Sequence, residues 1–195
     1  DVHGKDEDET TALAVAYIKT KQPAFLFVHF DHVDGAGHAY GHGTPQYYVA
    51  VAKADSLIDR IRQATADAGI ADETVILVTS DHGGVGKGHG GESLAELEIP
   101  WIAYGKNINP GTRLYLPINT FDTAATAAWL LGAKIPYAWI GRPVTSVRKG
   151  EKAPEQAYRS SNFYASPVIE PANDGNAPSG GLFINRPARM TTRNP

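Results

Sequence analysis

The sequence predicts an α/β fold: a mostly parallel sheet with helices on both faces, a three-layer α/β/α sandwich. Three observations carry it. Continuous apolar runs of strand length alternate with segments of helical period. The first two of these runs lead into Gly-rich loops that hold Asp and His. The 195 residues are 42% hydrophobic, enough for a sizeable core.

The elements follow in chain order. The acidic run Asp6-Glu7-Asp8-Glu9 suits a solvated helix N-terminus, where the dipole favours negative charge. Residues 10–19 then read as a short helix with Leu13, Tyr17 and Ile18 as its apolar stripe. After Pro23, residues 24–30 form an unbroken apolar run, rich in aromatics, that predicts a strand buried on both faces. Residues 31–43 read as a loop. Thr44-Pro45 opens a helix, Thr as cap and Pro in the first turn, which runs to about Ala68 and stops at Gly69. Its apolar face is Tyr47, Val51, Ala54, Ile58, Ile61 and Thr65. Residues 74–79 predict a second buried strand, and 99–104 a third. An Ala-rich helix follows over 120–131, with Thr120 as cap and Gly132 as stop.

After about residue 148 the texture changes to Pro, Gly, Asn and Ser without sustained period. The expected division is therefore a catalytic-type domain over 1–148 and a linker or tail over 149–195. Within the tail, Ser166-Pro167-Val168-Ile169-Glu170-Pro171 and Gly180-Gly181-Leu182-Phe183 suggest the start of a β-rich accessory module. The chain begins Asp1-Val2-His3 without Met and ends without a stop signal, so it is expected to be cut from something longer, and the fold to be incomplete at its N-terminus.

Composition narrows the chemistry. Eighteen Lys and Arg against 21 Asp and Glu leave −3, so no basic surface for nucleic acid or an anionic membrane is expected. No run approaches the ~18 apolar residues of a membrane span, and no signal-peptide pattern is visible. Cysteine is absent, which excludes disulfides, thiolate catalysis and Cys-ligated zinc. Any metal must be held by imidazoles and carboxylates.

Those groups gather where an α/β sheet binds ligands, at the carboxyl ends of its strands. The first predicted strand leads into Asp31, Asp34, His38 and His42; the second leads into Asp81 and His82, with His89 seven residues on. Such a set suits Zn²⁺, Mn²⁺ or a similar divalent ion. Asp34, His38, Asp81, His82 and His89 are the candidate ligands. Asp31, His32 and His42 have no spacing that demands them and are expected around the site or in solvent. His29 lies within the apolar run and reads as a core histidine, and His3 is uninformative. Thr79 and Ser80 are the hydroxyls beside the candidate ligands, where a backbone role suffices.

The ordered motifs resemble the alkaline phosphatase superfamily, and within it the C-terminal half of the type I phosphodiesterase/nucleotide pyrophosphatase-like catalytic domain. They are Asp34-Gly35-Ala36-Gly37-His38, Thr79-Ser80-Asp81-His82-Gly83, Gly88-His89-Gly90-Gly91, Glu98-Ile99-Pro100-Trp101-Ile102 and Phe121-Asp122-Thr123-Ala124-Ala125-Thr126. The resemblance implies an alkaline phosphatase-like sandwich and two divalent metal ions, zinc or else manganese. Asp34, His38 and His89 would hold one ion, and Asp81 and His82 the other. The remaining ligands and the nucleophilic Ser or Thr come, in the family, from a preceding half without matching positions here, so the catalytic nucleophile is unknown.

The implied activity is in-line displacement at phosphorus, with a small-molecule phosphodiester or phosphomonoester as substrate and water as acceptor. Phosphomutases and phosphoethanolamine transferases of the same superfamily are the alternative enzymes; a non-catalytic metal-binding fragment is the other. Sulfatases resemble the pattern but use a single calcium, so the imidazole of His82 favours phosphate. The close spacing of His82 and His89 is similar to that in phosphopentomutase-like and GPI-ethanolamine-phosphate-transferase-like members. A secreted or periplasmic location is implied, as is association through the surface left by the preceding half.

Overall fold

The structure, a computed structural model, describes residues 3–151. The expected tail over 149–195 and its accessory-module signals fall, from residue 152 onward, outside the described residues. The architecture is mixed α/β. Its elements are α1 (Glu7–Lys21), α2 (His32–Tyr40), α3 (Pro45–Asp67), β1 (Val75–Thr79), α4 (Leu94–Leu97), β2 (Trp101–Gly105) and α5 (Thr120–Leu130), with 3-10 turns at Ala71–Glu73 and Thr145–Val147. No helix among the described residues is long and apolar enough to cross a membrane.

Helix α1 starts where the Asp6 carboxylate accepts the Glu9 amide at 2.8 Å. It packs on α3. The residues it buries are Thr11, Ala14 and Ile18, three and four apart on one face, while the predicted Leu13 and Tyr17 stay substantially exposed. The buried face thus keeps the expected Ile18 and adds two small residues that the apolar stripe did not mark. Helix α3 opens as predicted, with the Thr44 hydroxyl accepting the Tyr47 amide at 3.3 Å. Its predicted apolar face is half-buried apart from the buried Thr65, and Leu57 and Ala64 are buried almost completely. Lys53 bridges α3 to Glu7 and to Asp8, the latter at 2.8 Å.

The sheet departs from expectation. Strand β1 pairs antiparallel with β2, Val75 opposite Gly105 and Thr79 opposite Trp101, and no parallel pair occurs among the described residues. Residues 24–30 are not a strand: no ladder forms there, and Phe25 and Phe27 are exposed. A strand needs a partner for its amides and carbonyls. Apolar composition supplies the side chains for a sheet interior but cannot supply that partner. The helix expected over 120–131 is α5, capped by Asn119 rather than Thr120 in a capping box with Asp122. Trp101 ties β2 to α5 through a 3.0 Å bond from its indole to the Thr123 hydroxyl.

Candidate metal centre

Two segments meet at the site. One is α2, where a loop was expected. Four glycines in the 31–43 segment masked it, but the spacing of Asp34 and His38 is one helical turn and puts both on one face. The other is the 81–91 loop that follows β1. The amide of Gly83 donates to Glu96 O at 2.8 Å and that of Gly84 to Ala95 O at 2.9 Å, which fixes the loop's first half on α4. Its end is held by the Glu96 carboxylate, which accepts the Gly91 amide at 2.8 Å. The Ser93 hydroxyl, then the Gly91 amide, hold that carboxyl below its ordinary range.

Asp34, His38 and His89 converge. One donor atom from each lies within 4.8 Å of the others. His38 Nε2 lies 3.2 Å from His89 Nε2 and 3.4 Å from Asp34 Oδ2; His89 Nε2 lies 3.7 Å from Asp34 Oδ1. His38 Nδ1 faces Lys87 O at 2.9 Å. A carbonyl only accepts, so Nδ1 carries the proton and the Nε2 lone pair points into the cluster. Asp34 Oδ1 is buried with no hydrogen-bond donor. A buried, undonated carboxylate oxygen beside two imidazole nitrogens is unfavourable by itself, and a divalent cation would satisfy all three. The donor set therefore fits the implied ion.

Asp81 and His82 border the same cluster. The His82 ring stacks on His89 with centroids 3.7 Å apart, and His82 Nε2 lies 3.6 Å from Asp81 Oδ2. His82 Nδ1 donates to Gly83 O at 2.8 Å, again freeing Nε2 as an acceptor. The Asp81 side chain is largely solvent-facing. All five candidate ligands thus lie in one neighbourhood, three of them convergent.

The other sequence candidates take different places. His29 is not a core histidine: its side chain is exposed and pairs with Asp31 at 2.6 Å. Without a sheet around residues 24–30 there is no core for it to enter. His32 Nε2 donates to Ala50 O at 3.1 Å and ties α2 to α3. His42 contacts the loop through Gly86 O. Ser80 Oγ donates to His82 O at 2.7 Å, a backbone role. Tyr47, expected on the apolar face of α3, packs 5.2 Å from the His42 ring; burial, then Tyr48 and Asp34, push its phenol above the ordinary value.

Comparison with known proteins agrees with the motifs. Residues 3–92 match the family described as type I phosphodiesterase / nucleotide pyrophosphatase. GPI ethanolamine phosphate transferase 3 of Schizosaccharomyces pombe is 30% identical over 148 residues, 72% of this chain and 15% of that protein. The protein of the same name from Eremothecium gossypii is 32% identical over 135 residues, 61% of this chain and 13% of its own length. Arylsulfatase K of Xenopus laevis is 30% identical over 95 residues, 46% of this chain and 18% of that protein. The chain thus spans about one seventh of the length of the transferases it matches. A solved structure titled "Crystal structure of Ps i-CgsB" shares the fold with a TM-score of 0.51 at 19% identity, over 70% of this chain and 36% of that one.

Proposed function

The chain belongs to the alkaline phosphatase superfamily, and from that premise we propose that it takes part in divalent-metal-dependent transfer of a phosphate-linked group to a hydroxyl acceptor. The sequence reading put hydrolysis first. Transfer now leads because the transferases are matched over more of this chain than the sulfatase. The substrate class is a small phosphodiester or phosphomonoester, with a phosphoethanolamine ester foremost. The convergence of Asp34, His38 and His89 around a buried, undonated Asp34 oxygen is the observation that carries the proposal.

The roles follow from the donor atoms. Asp34, His38 and His89 would hold one cation, and Asp81 with His82 would contribute to a second, zinc being favoured by imidazole ligation. Bound there, such ions supply positive charge for the phosphoryl oxygens. Lys87 O keeps the proton of His38 on Nδ1, and Gly83 O does the same for His82. Asp34, seated on a regular helix, keeps its carboxylate aimed at both imidazoles. The architecture that accompanies this reading is the three-layer sandwich with a mostly parallel sheet, in which residues 24–30 would gain a ladder. One observation favours the second reading, a metal-binding segment without its own nucleophile: the Ser80 hydroxyl is spent on His82 O.

The test uses a p-nitrophenyl phosphate ester and a phosphoethanolamine ester, with zinc or manganese, with and without a primary alcohol. Transfer predicts an alcohol-derived phosphate ester, a phosphodiester when the donor is the phosphoethanolamine ester, that chelation with EDTA abolishes. Release to water alone returns the assignment to hydrolysis. Zinc uptake without turnover supports the second reading, and turnover unaffected by EDTA overturns the metal-dependent reading.

A further inference from the structure

His42 lies outside the ligand set, yet it joins both ligand-bearing segments. Its backbone amide donates to Gly86 O at 2.7 Å, and its Nδ1 faces the same oxygen at 3.0 Å. The carbonyl can only accept, so Nδ1 carries a proton and both lone pairs of Gly86 O are engaged. The rest of the ring fills a slot between two backbones. A Cβ on Gly37 would lie 2.5 Å from His42 Nε2, and one on Gly84 would lie 2.2 Å from it. Gly37 belongs to α2, one residue before His38; Gly84 belongs to the loop that ends in His89. Only residues without Cβ leave room for the ring on both sides.

We propose that His42 is a positioning residue that sets the separation of α2 from the 81–91 loop, and so the distance between Asp34 and His38 on one side and His89 on the other. The inference rests on the metal-centre reading and extends it. Consecutive carbonyls are involved. Gly86 O takes His42, and Lys87 O takes His38 Nδ1 at 2.9 Å. A shift of the 86–87 peptide therefore moves the anchor of the His38 tautomer and the His89 backbone together. Partners that hold a ligand in place ordinarily cost metal affinity when removed, without touching the ion.

The experiment compares the full chain with H42N and H42L. Asn can reproduce the Nδ1 donor; Leu fills the slot without one. Zinc alone is titrated by calorimetry, and cobalt alone is followed by its visible absorption. The long-range nitrogen–proton spectrum of the metal-free chain reports the His38 tautomer. H42L should bind zinc roughly 10–100-fold more weakly, alter the cobalt band, and mix the His38 tautomers, while far-UV dichroism is kept. H42N should match the wild type in all three. Equal zinc affinity and an unchanged tautomer in H42L would overturn the proposal. So would an H42N as impaired as H42L, because the donor would then be irrelevant. An H42L that fails to fold would also overturn it, since the ring would then be holding the fold rather than the ligand distance. If the wild type takes up no zinc, the metal reading falls, and the tautomer comparison still decides the role of His42.

Discussion

The helical unit α1–α2–α3 and the β1–β2 ribbon with its loops hold themselves together by different means. The helices bury side chains completely: Leu57 is 2% exposed, Ala64 1% and Ile18 4%. No residue of β1 or β2 reaches that state; each is half-buried or exposed. The ribbon side relies on specific polar bonds instead, as at Gly83, Gly84, Gly91 and the Trp101 indole. The candidate ligands divide along this line, Asp34 and His38 on a helix and Asp81, His82 and His89 on loop. The helical side thus seals side chains where β1 and β2 do not, and geometry at the site draws on both. A metal centre built across such a division needs clamps at the join, which is where His38, His42 and the 86–87 carbonyls meet.

The largest expected effect is on the helical side. Leu57→Ala should cost about 2–5 kcal/mol in urea denaturation, because a nearly sealed side chain leaves a cavity. Ile76→Ala, half-buried in β1, should cost about 1–2 kcal/mol. Equal costs would erase the contrast.

Next comes the strap after α5. Buried Asp122 accepts the Asn119 amide at 2.8 Å through one oxygen and the Arg142 amide at 2.8 Å through the other. Asp122→Ala should cost about 1–3 kcal/mol, with hydrogen exchange at the Arg142 amide accelerated while amides of α1 and α3 stay protected. Uniform acceleration across both regions would mean that they unfold as one unit.

The smallest effect is electrostatic. A hydrogen bond from Lys53 holds the Glu7 and Asp8 carboxyls below their ordinary range. Folded-state values that are lowered stabilise above the ordinary carboxylate pKa of about 4, and that contribution disappears as pH falls through the lowered values. Lys53→Met should therefore be slightly less stable than wild type near neutrality and indistinguishable at about pH 2, since exposed pairs contribute little. A difference that persists in acid would assign the effect to packing of the lysine stem.

Much of the helical side could be read from sequence. Thr44-Pro45 and Gly69 bracketed α3 to within a residue or two, because caps are local chemistry. The buried face of α1 was read in part: Ile18 is buried as expected, while Thr11 and Ala14 are small residues that an apolar stripe does not mark. The strand at 24–30 was predicted from side chains alone, and strand pairing is a long-range property that side chains do not encode locally. At the site, residue types and expected strand-end placement made Asp34, His38 and His89 candidates; the structure brings these three together, although residues 24–30 form no strand ahead of Asp34. His42 gave less signal. Its partners are a carbonyl and two glycines, none of which marks a site in a sequence until the backbone path is known.

The stacking of His82 on His89, at 3.7 Å and 19° between ring planes, has a magnetic consequence. Each imidazole carries a circulating ring current, and the protons of its neighbour lie in the shielded region above the ring face. The carbon-bound protons of His82 and His89 will resonate upfield of those of a free imidazole. The 81–91 loop thus carries its own built-in shielding gauge, and any rearrangement that slides one ring off the other returns those signals toward their free positions.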